Sequence, residues 1–362
     1  MEQSSIVCMV DRCRYIIRSF HINGCCCDSV QENGKMIQYI IRRFLYTIPI
    51  WLGVMLITFL LFNMRDPIAI ARVHMPQAPE KALHAWVRNN NFHLPLIFNL
   101  PGSETMIRAD GKAHPEFKDK SIFYSQFFLS IKDMVTFNLG LDKNKKPIAD
   151  SMKERIWPSL SIMLPAFVLN VILSISIALF SAYYRETTFD ISISFVTVFM
   201  MSVALPVYLL GANFLFGKFL KLVPVYNHTA LPVLIAVLSG IGGNIRFYRT
   251  VFLEQMEQDF VRTARSKGVS ESRILFRHVL GNSLIPVLTS VVMSLPFLIT
   301  GSLLLEQFFG IPGMGDMMYT AIVSQDFQVI KVMVYLGSFL YMSGSLLTDL
   351  SYRLADPRVS LS

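Results

Sequence analysis

The stretch Phe260-Val261-Arg262-Thr263-Ala264-Arg265-Ser266-Lys267-Gly268 interrupts an otherwise apolar sequence, and the reading of the whole chain turns on it. It is the centre of a polar segment, 246–286, that carries Arg246, Arg249, Arg262, Arg265, Lys267, Arg273 and Arg277 with Glu254, Glu257, Asp259 and Glu271. Runs long enough to cross a bilayer lie on both sides, so this segment belongs in water or against another protein. Phe252, Met256 and Phe260 recur every four residues and predict one apolar helical face, with Glu254, Gln258 and Arg262 on a polar one. Gly268 falls where a helix stops, because glycine takes the left-handed C′ conformation without steric cost. Ser270 is placed to cap a second helix and Glu271 suits its positive end. Ile274, Leu275 and Val279 continue as its apolar side. Two readings of this helix-glycine-helix pattern stand at this point: a loop packed on its own membrane domain, or an element that docks on a partner.

The composition supplies the setting. Of 362 residues 53% are hydrophobic and 16% charged, and the mean hydropathy is +0.47. These values define a polytopic membrane protein. The net charge of +8 is not a nucleic-acid signal, because the basic residues cluster beside apolar runs as topology requires. Six runs have spanning length, at 44–64, 159–183, 191–217, 230–245, 284–305 and 332–347, so the predicted class is all-α with six transmembrane helices. Lys35, Arg42 and Arg43 before the first run, Arg185, the basic loop, and Arg353 and Arg358 after the last place both termini in the cytoplasm. Lys218 and Lys221 are the exception.

This divides the chain into an N-terminal extension, 1–35, a first transmembrane helix, 36–64, and an extracytoplasmic region, 65–157. A five-helix core follows at 158–352, with its cytoplasmic loop at 246–283, and then a cytoplasmic tail, 353–362. The extension holds every cysteine of the chain: Cys8, Cys13, Cys25, Cys26 and Cys27. Their spacing lacks the paired C-x-x-C of a zinc site, so no metal is expected. Within the extracytoplasmic region, helices are predicted at 80–89 and 124–137.

The runs hold no Asp, Glu, Lys, Arg or His well inside them. A gradient-driven carrier keeps ionisable groups there, so the energy for transport is expected from another subunit. The segment Gly211 to Gly217-Lys218 is no phosphate loop: it has one residue too many between the glycines and Phe219 where Ser or Thr should hold magnesium. No nucleophile stands near a base, and neither catalysis nor a cofactor is predicted. Neutral polar residues in the runs, Asn170, Ser174 and Ser202 among them, serve helix packing or line a path.

The residues also carry a resemblance. The run 260–268, followed by Arg273, Phe276-Arg277-His278, Asn282 and Leu284-Ile285-Pro286, resembles the EAA loop of bacterial ABC importer permeases of the oligopeptide/dipeptide branch. Arg262, Thr263 and Ala264 stand where the general motif reads Glu-Ala-Ala, as in the peptide branch. Phe309, Pro312, Gly313 and Gly315 are similar to that family's Phe-x-x-Pro-Gly-x-Gly signature, and Asp356, Pro357 and Arg358 to its terminus. The resemblance runs from Met36 to Arg358 and lapses between Asn99 and Ser121.

It implies a type I ABC importer (MetI-like) permease fold in the bacterial inner membrane. Its implied partners are a second homologous permease subunit, two cytoplasmic ATP-binding subunits, an extracytoplasmic solute-binding protein and a peptide substrate. It also implies that Val261, Arg262, Thr263, Ala264, Arg265, Lys267 and Gly268 couple to the ATPase. Two alternatives stay open: the same importer class carrying glutathione or nickel, and a self-contained carrier.

Overall fold

The computed structural model describes residues 25–64, 67–89, 92, 94–98, 124–215 and 229–355, and the described residues are almost entirely helical. Contacts divide the described residues into two units, one ending at Ile50 and the other beginning at Trp51. The division falls inside the first helix, α1 (Cys25–Asn63), which accommodates Pro49 without a break. Position 35 also lies inside this helix.

Three short helices follow: α2 (Pro67–His74), α3 (Glu80–Asn89) and α4 (Gln126–Val135). The predicted 80–89 helix is α3, whose Leu83 and Val87 pack with Ala71 of α2. The predicted 124–137 helix is shorter at both ends, and Phe137 turns the chain with a φ of 54°.

The second long helix begins earlier than the apolar run it contains. Helix α5 (Ile148–Tyr183) runs for 36 residues through Pro158 and Pro165, so position 157 lies inside a helix. It packs along α8 (Ala230–Met256), where Gly240 and Gly242 mark close crossings. A Cβ at Gly240 would stand 2.9 Å from the Asn170 amide, and one at Gly242 would stand 3.0 Å from the Thr197 carbonyl oxygen. Small residues let helix backbones approach in this way. Helix α8 continues eleven residues past position 245, because backbone hydrogen bonding continues where the apolar pattern stops.

The run 191–217 is not one straight span. Helix α6 (Thr188–Ser202) is followed by α7 (Leu205–Ala212) with a bend of 96° between Thr188–Ser202 and Leu205–Leu215. Val203 and Ala204 are extended there, and Pro206 in the first turn of α7 supplies no backbone donor.

Past the polar segment, α11 (Leu284–Thr300) ends five residues short of position 305, with Gly301 as its cap. Two short helices, α12 (Leu303–Phe309) and α13 (Met314–Ser324), precede the last span, α14 (Phe327–Ala355). Asp326 caps α14 by accepting the Val329 N–H at 3.3 Å.

Among the described residues four helices are long and apolar enough to cross a membrane, and the total reaches six if each of two bent pairs is one span. Their outward residues are large and apolar, with Phe195 74% and Phe199 64% exposed on α6, as lipid or a neighbouring membrane subunit requires.

Candidate functional site

The polar segment folds as two helical pieces joined at Gly268. Helix α8 ends at Met256 with Glu257 as its cap, Gln258 is extended, and α9 (Asp259–Ser266) starts afresh. Phe252, Met256 and Phe260 therefore do not share one helix as their spacing predicted; the break at Gln258 separates Phe260. All three still meet in one apolar cluster.

Helix α9 turns Val261 (0% exposed) and Ala264 inward. Arg262, Thr263, Arg265 and Lys267 are exposed. The apolar side joins Ala178, Leu179, Ile245, Phe252, Ile274 and Val279 in the cluster between α5 and α8, so α9 is seated on the spans.

Gly268 closes α9 with a φ of +70°. Its N–H reaches the Arg265 carbonyl at 2.9 Å and the Val269 N–H reaches that of Ala264 at 3.2 Å, the paired bonds of a Schellman C-cap. Nothing lies within 4 Å of a Cβ built at Gly268, so this glycine is required by conformation and not by space. Across the turn Arg265 binds Glu271 in bidentate fashion, Nε to Oε1 at 2.8 Å and Nη2 to Oε2 at 3.2 Å.

Ser270 occupies the cap position of the next helix without a side-chain cap bond. That helix, α10 (Glu271–Asn282), is π-helical over Ile274–Val279 and meets α11 at a bend of 55°. The wider turn brings Ile274, Leu275 and Val279 together in the buried cluster, and π-turns of this kind recur at functional sites.

Two buried polar clusters that the sequence reading did not single out brace the spans. Near this segment Arg249 of α8 binds Asp190 of α6 through both guanidinium arms, each at 2.7 Å. The Ser181 hydroxyl donates to Asp190 at 2.6 Å and the Glu186 N–H at 3.1 Å. One carboxylate thereby joins α5, α6 and α8. On the surface beside it Arg185 pairs with Glu257 at 2.6 Å.

The second cluster lies at the glycine signature. Glu306 of α12 is fully buried and accepts from the Ser159 hydroxyl at 2.8 Å, Ser302 N–H at 3.3 Å, Gly315 N–H at 2.7 Å and Asp316 N–H at 3.1 Å. Burial pushes the Glu306 carboxyl above the ordinary carboxylate range, while the Ser159 hydroxyl and the three backbone donors pull it back down.

The signature glycines form its cradle: a Cβ at Gly313 would stand 2.3 Å from Glu306 Oε2, and one at Gly315 would stand 2.6 Å from the Ser302 carbonyl carbon. Phe309 is buried against α5 and α8 residues, and Pro312 lies in the turn before α13. Arg155 pairs with Asp316 at 2.7 Å alongside.

Asp190 and Glu306 each stand one residue outside a predicted run, so the reading of those runs passed over them. A lone acidic residue bordering an apolar run was the available signal. Asn170 serves packing: its oxygen accepts from Ser174 at 3.2 Å and Asn244 at 2.6 Å, and its amide donates to the Val237 carbonyl at 3.2 Å. The signature residues Asp356, Pro357 and Arg358 and the segment around Gly217 lie outside the described residues.

The described residues thus hold several helices long and apolar enough to cross a membrane, with the polar helix α9 seated on them. Residues 174–361 match the family described as binding-protein-dependent transport system inner membrane component. The chain belongs to that family: it is a multi-pass inner-membrane permease subunit of an ABC importer, a non-catalytic component that works with ATP-binding and substrate-binding partners.

Among its relatives, the oligopeptide transport system permease protein AppB of Bacillus subtilis is 27% identical over 90% of this chain and 99% of its own length. A putative peptide transport system permease protein of Brucella suis is 34% identical over 59% and 72%. The glutathione transport system permease protein GsiC of Escherichia coli O6:H1 is 29% identical over 65% and 79%.

Proposed function

We propose that this permease subunit forms, with a second homologous subunit, the translocation pathway for short peptides. In this reading two cytoplasmic ATP-binding subunits drive it and an extracytoplasmic solute-binding protein delivers the substrate. Both termini and the 246–283 loop face the cytoplasm, and 65–157 lies largely outside.

The observation that carries the coupling role is the two-sidedness of α9. Its apolar face is fixed to the spans by Val261 and Ala264, while Arg262, Thr263, Arg265 and Lys267 face outward. A helix gripped on one side and polar on the other transmits displacement as a rigid body. Arg265 is already committed to Glu271, so Arg262, whose nearest carboxylate is Asp259 at 3.7 Å, and Lys267 supply the outward charge.

The peptide reading is supported by the relatives in the oligopeptide and peptide systems. Glutathione, itself a tripeptide, is the second reading, favoured by the Escherichia coli relative.

In proteoliposomes holding the assembled importer, Gly268→Val is expected to preserve assembly and to lower ATP hydrolysis stimulated by the loaded binding protein by about tenfold. Wild-type stimulation in that variant removes the hinge from the mechanism. Uptake of labelled di- and tripeptides against glutathione decides the substrate, and uptake of glutathione alone overturns the peptide reading.

A further inference from the structure

A cavity of about 590 Å³ opens where α1, α3 and α4 meet the start of α14. This volume lies in the range of small-ligand sites. Trp86 and Phe92, stacked with ring centroids 5.6 Å apart, give it an aromatic wall, and Gln126, Asp133, Gln328 and Lys331 give it polar groups. Two of these are already spent on structure. The Gln126 amide donates to the Phe92 and Leu94 carbonyls at 3.0 and 2.6 Å, and the Gln328 amide to the Leu139 carbonyl at 3.2 Å.

Lys331 is different. It stands in the second turn of α14, partly buried, and among the described residues it has no hydrogen bond and no ion pair. Asp133 is near enough to act on it electrostatically, and both residues also line a smaller adjoining cavity. A partly desolvated ammonium without a partner is costly, and a ligand carboxylate offsets that cost. The acidic groups of the same wall decide what kind of ligand this is. With Lys143 and Lys145 also in the lining, Asp133 and Asp142 give the wall charge of both signs, and a zwitterion places charge of each sign against its opposite.

We propose that this cavity recognises a short peptide with free termini, its carboxylate on Lys331 and its amino end on the Asp133 side. This assignment rests on the peptide reading above and deepens it, because it places a substrate contact on the permease itself.

The test uses the full-length chain in detergent, with tryptophan fluorescence reporting on Trp86 and calorimetry in parallel. Trialanine is expected to bind saturably, and its C-terminal amide about tenfold more weakly, the loss typical of one charge-assisted contact. Lys331→Gln is expected to bind both at the weaker level, and Lys331→Arg to restore the preference for the free acid. Thermal unfolding of each variant separates lost binding from lost folding. If Lys331→Gln does not fold, the comparison of acid with amide on the unaltered chain decides.

Equal binding of acid and amide, or no trialanine binding up to about 10 mM, ten times the upper end of common substrate constants, overturns the proposal. So does tighter binding of a triglutamate peptide with both ends blocked, which identifies a docking site for an acidic protein segment. If the assembled importer still takes up trialanine in any of these cases, the site fails and the peptide reading survives. If it takes up none, the reading itself fails.

Discussion

Gly268 and Gly313 are both glycines in motifs that the sequence made visible, yet they are needed for opposite reasons. Gly268 has open space around it and a φ of +70°, so it is held by backbone conformation. Gly313 has a φ of −103° that any residue adopts, but a Cβ there would press on Glu306 Oε2 and Ser159 Oγ. The polar segment thus turns at a left-handed residue, whereas the signature is a packed cradle around one buried carboxylate. The first is tuned by local geometry and the second by tertiary fit, so the same substitution should behave differently in the two places.

Thermal unfolding of six variants in detergent tests that contrast. The largest effect is expected from Glu306→Ala, which strands the Gly315 and Asp316 N–H groups and the Ser159 hydroxyl and opens a void; about 2–4 kcal/mol is expected. A loss under 1 kcal/mol means that the carboxylate does not organise the turn. Next comes Gly315→Ala, whose Cβ meets backbone atoms that cannot rotate away, at about 1–3 kcal/mol for overpacking.

Gly268→Ala should cost about 1 kcal/mol through its positive φ alone. Gly268→Asn should recover most of that, because asparagine tolerates the left-handed region, whereas Gly313→Asn should not. Equal penalties for asparagine at the two positions would erase the distinction. The smallest change is expected from Arg265→Ala: its ion pair with Glu271 is half exposed, and such pairs contribute about 0.2–1 kcal/mol.

Much of this architecture was legible in the residues. The six apolar runs, the helix at Glu80–Asn89, the stop at Gly268 and the turn at Gly310-Ile311-Pro312-Gly313 all rest on local rules of periodicity and backbone preference. Helix ends were less legible: α8 and α14 extend well past their apolar runs because a helix is continued by its own hydrogen bonds. The 96° bend between α6 and α7 passed unnoticed, since apolar residues fill both arms and Pro206 sits at a position that a helix start also allows.

By itself, the sequence determined that this is a membrane protein of several spans with one basic segment broken at a glycine, because hydropathy and backbone conformation are properties of neighbouring residues. Only the tertiary structure decided that Asp190 belongs to Arg249, 59 residues away, and that Glu306 binds Ser159, 147 residues away. Such partners are set by which helices cross and at what depth. A charged side chain can be buried only where the fold brings its counterpart within hydrogen-bond reach.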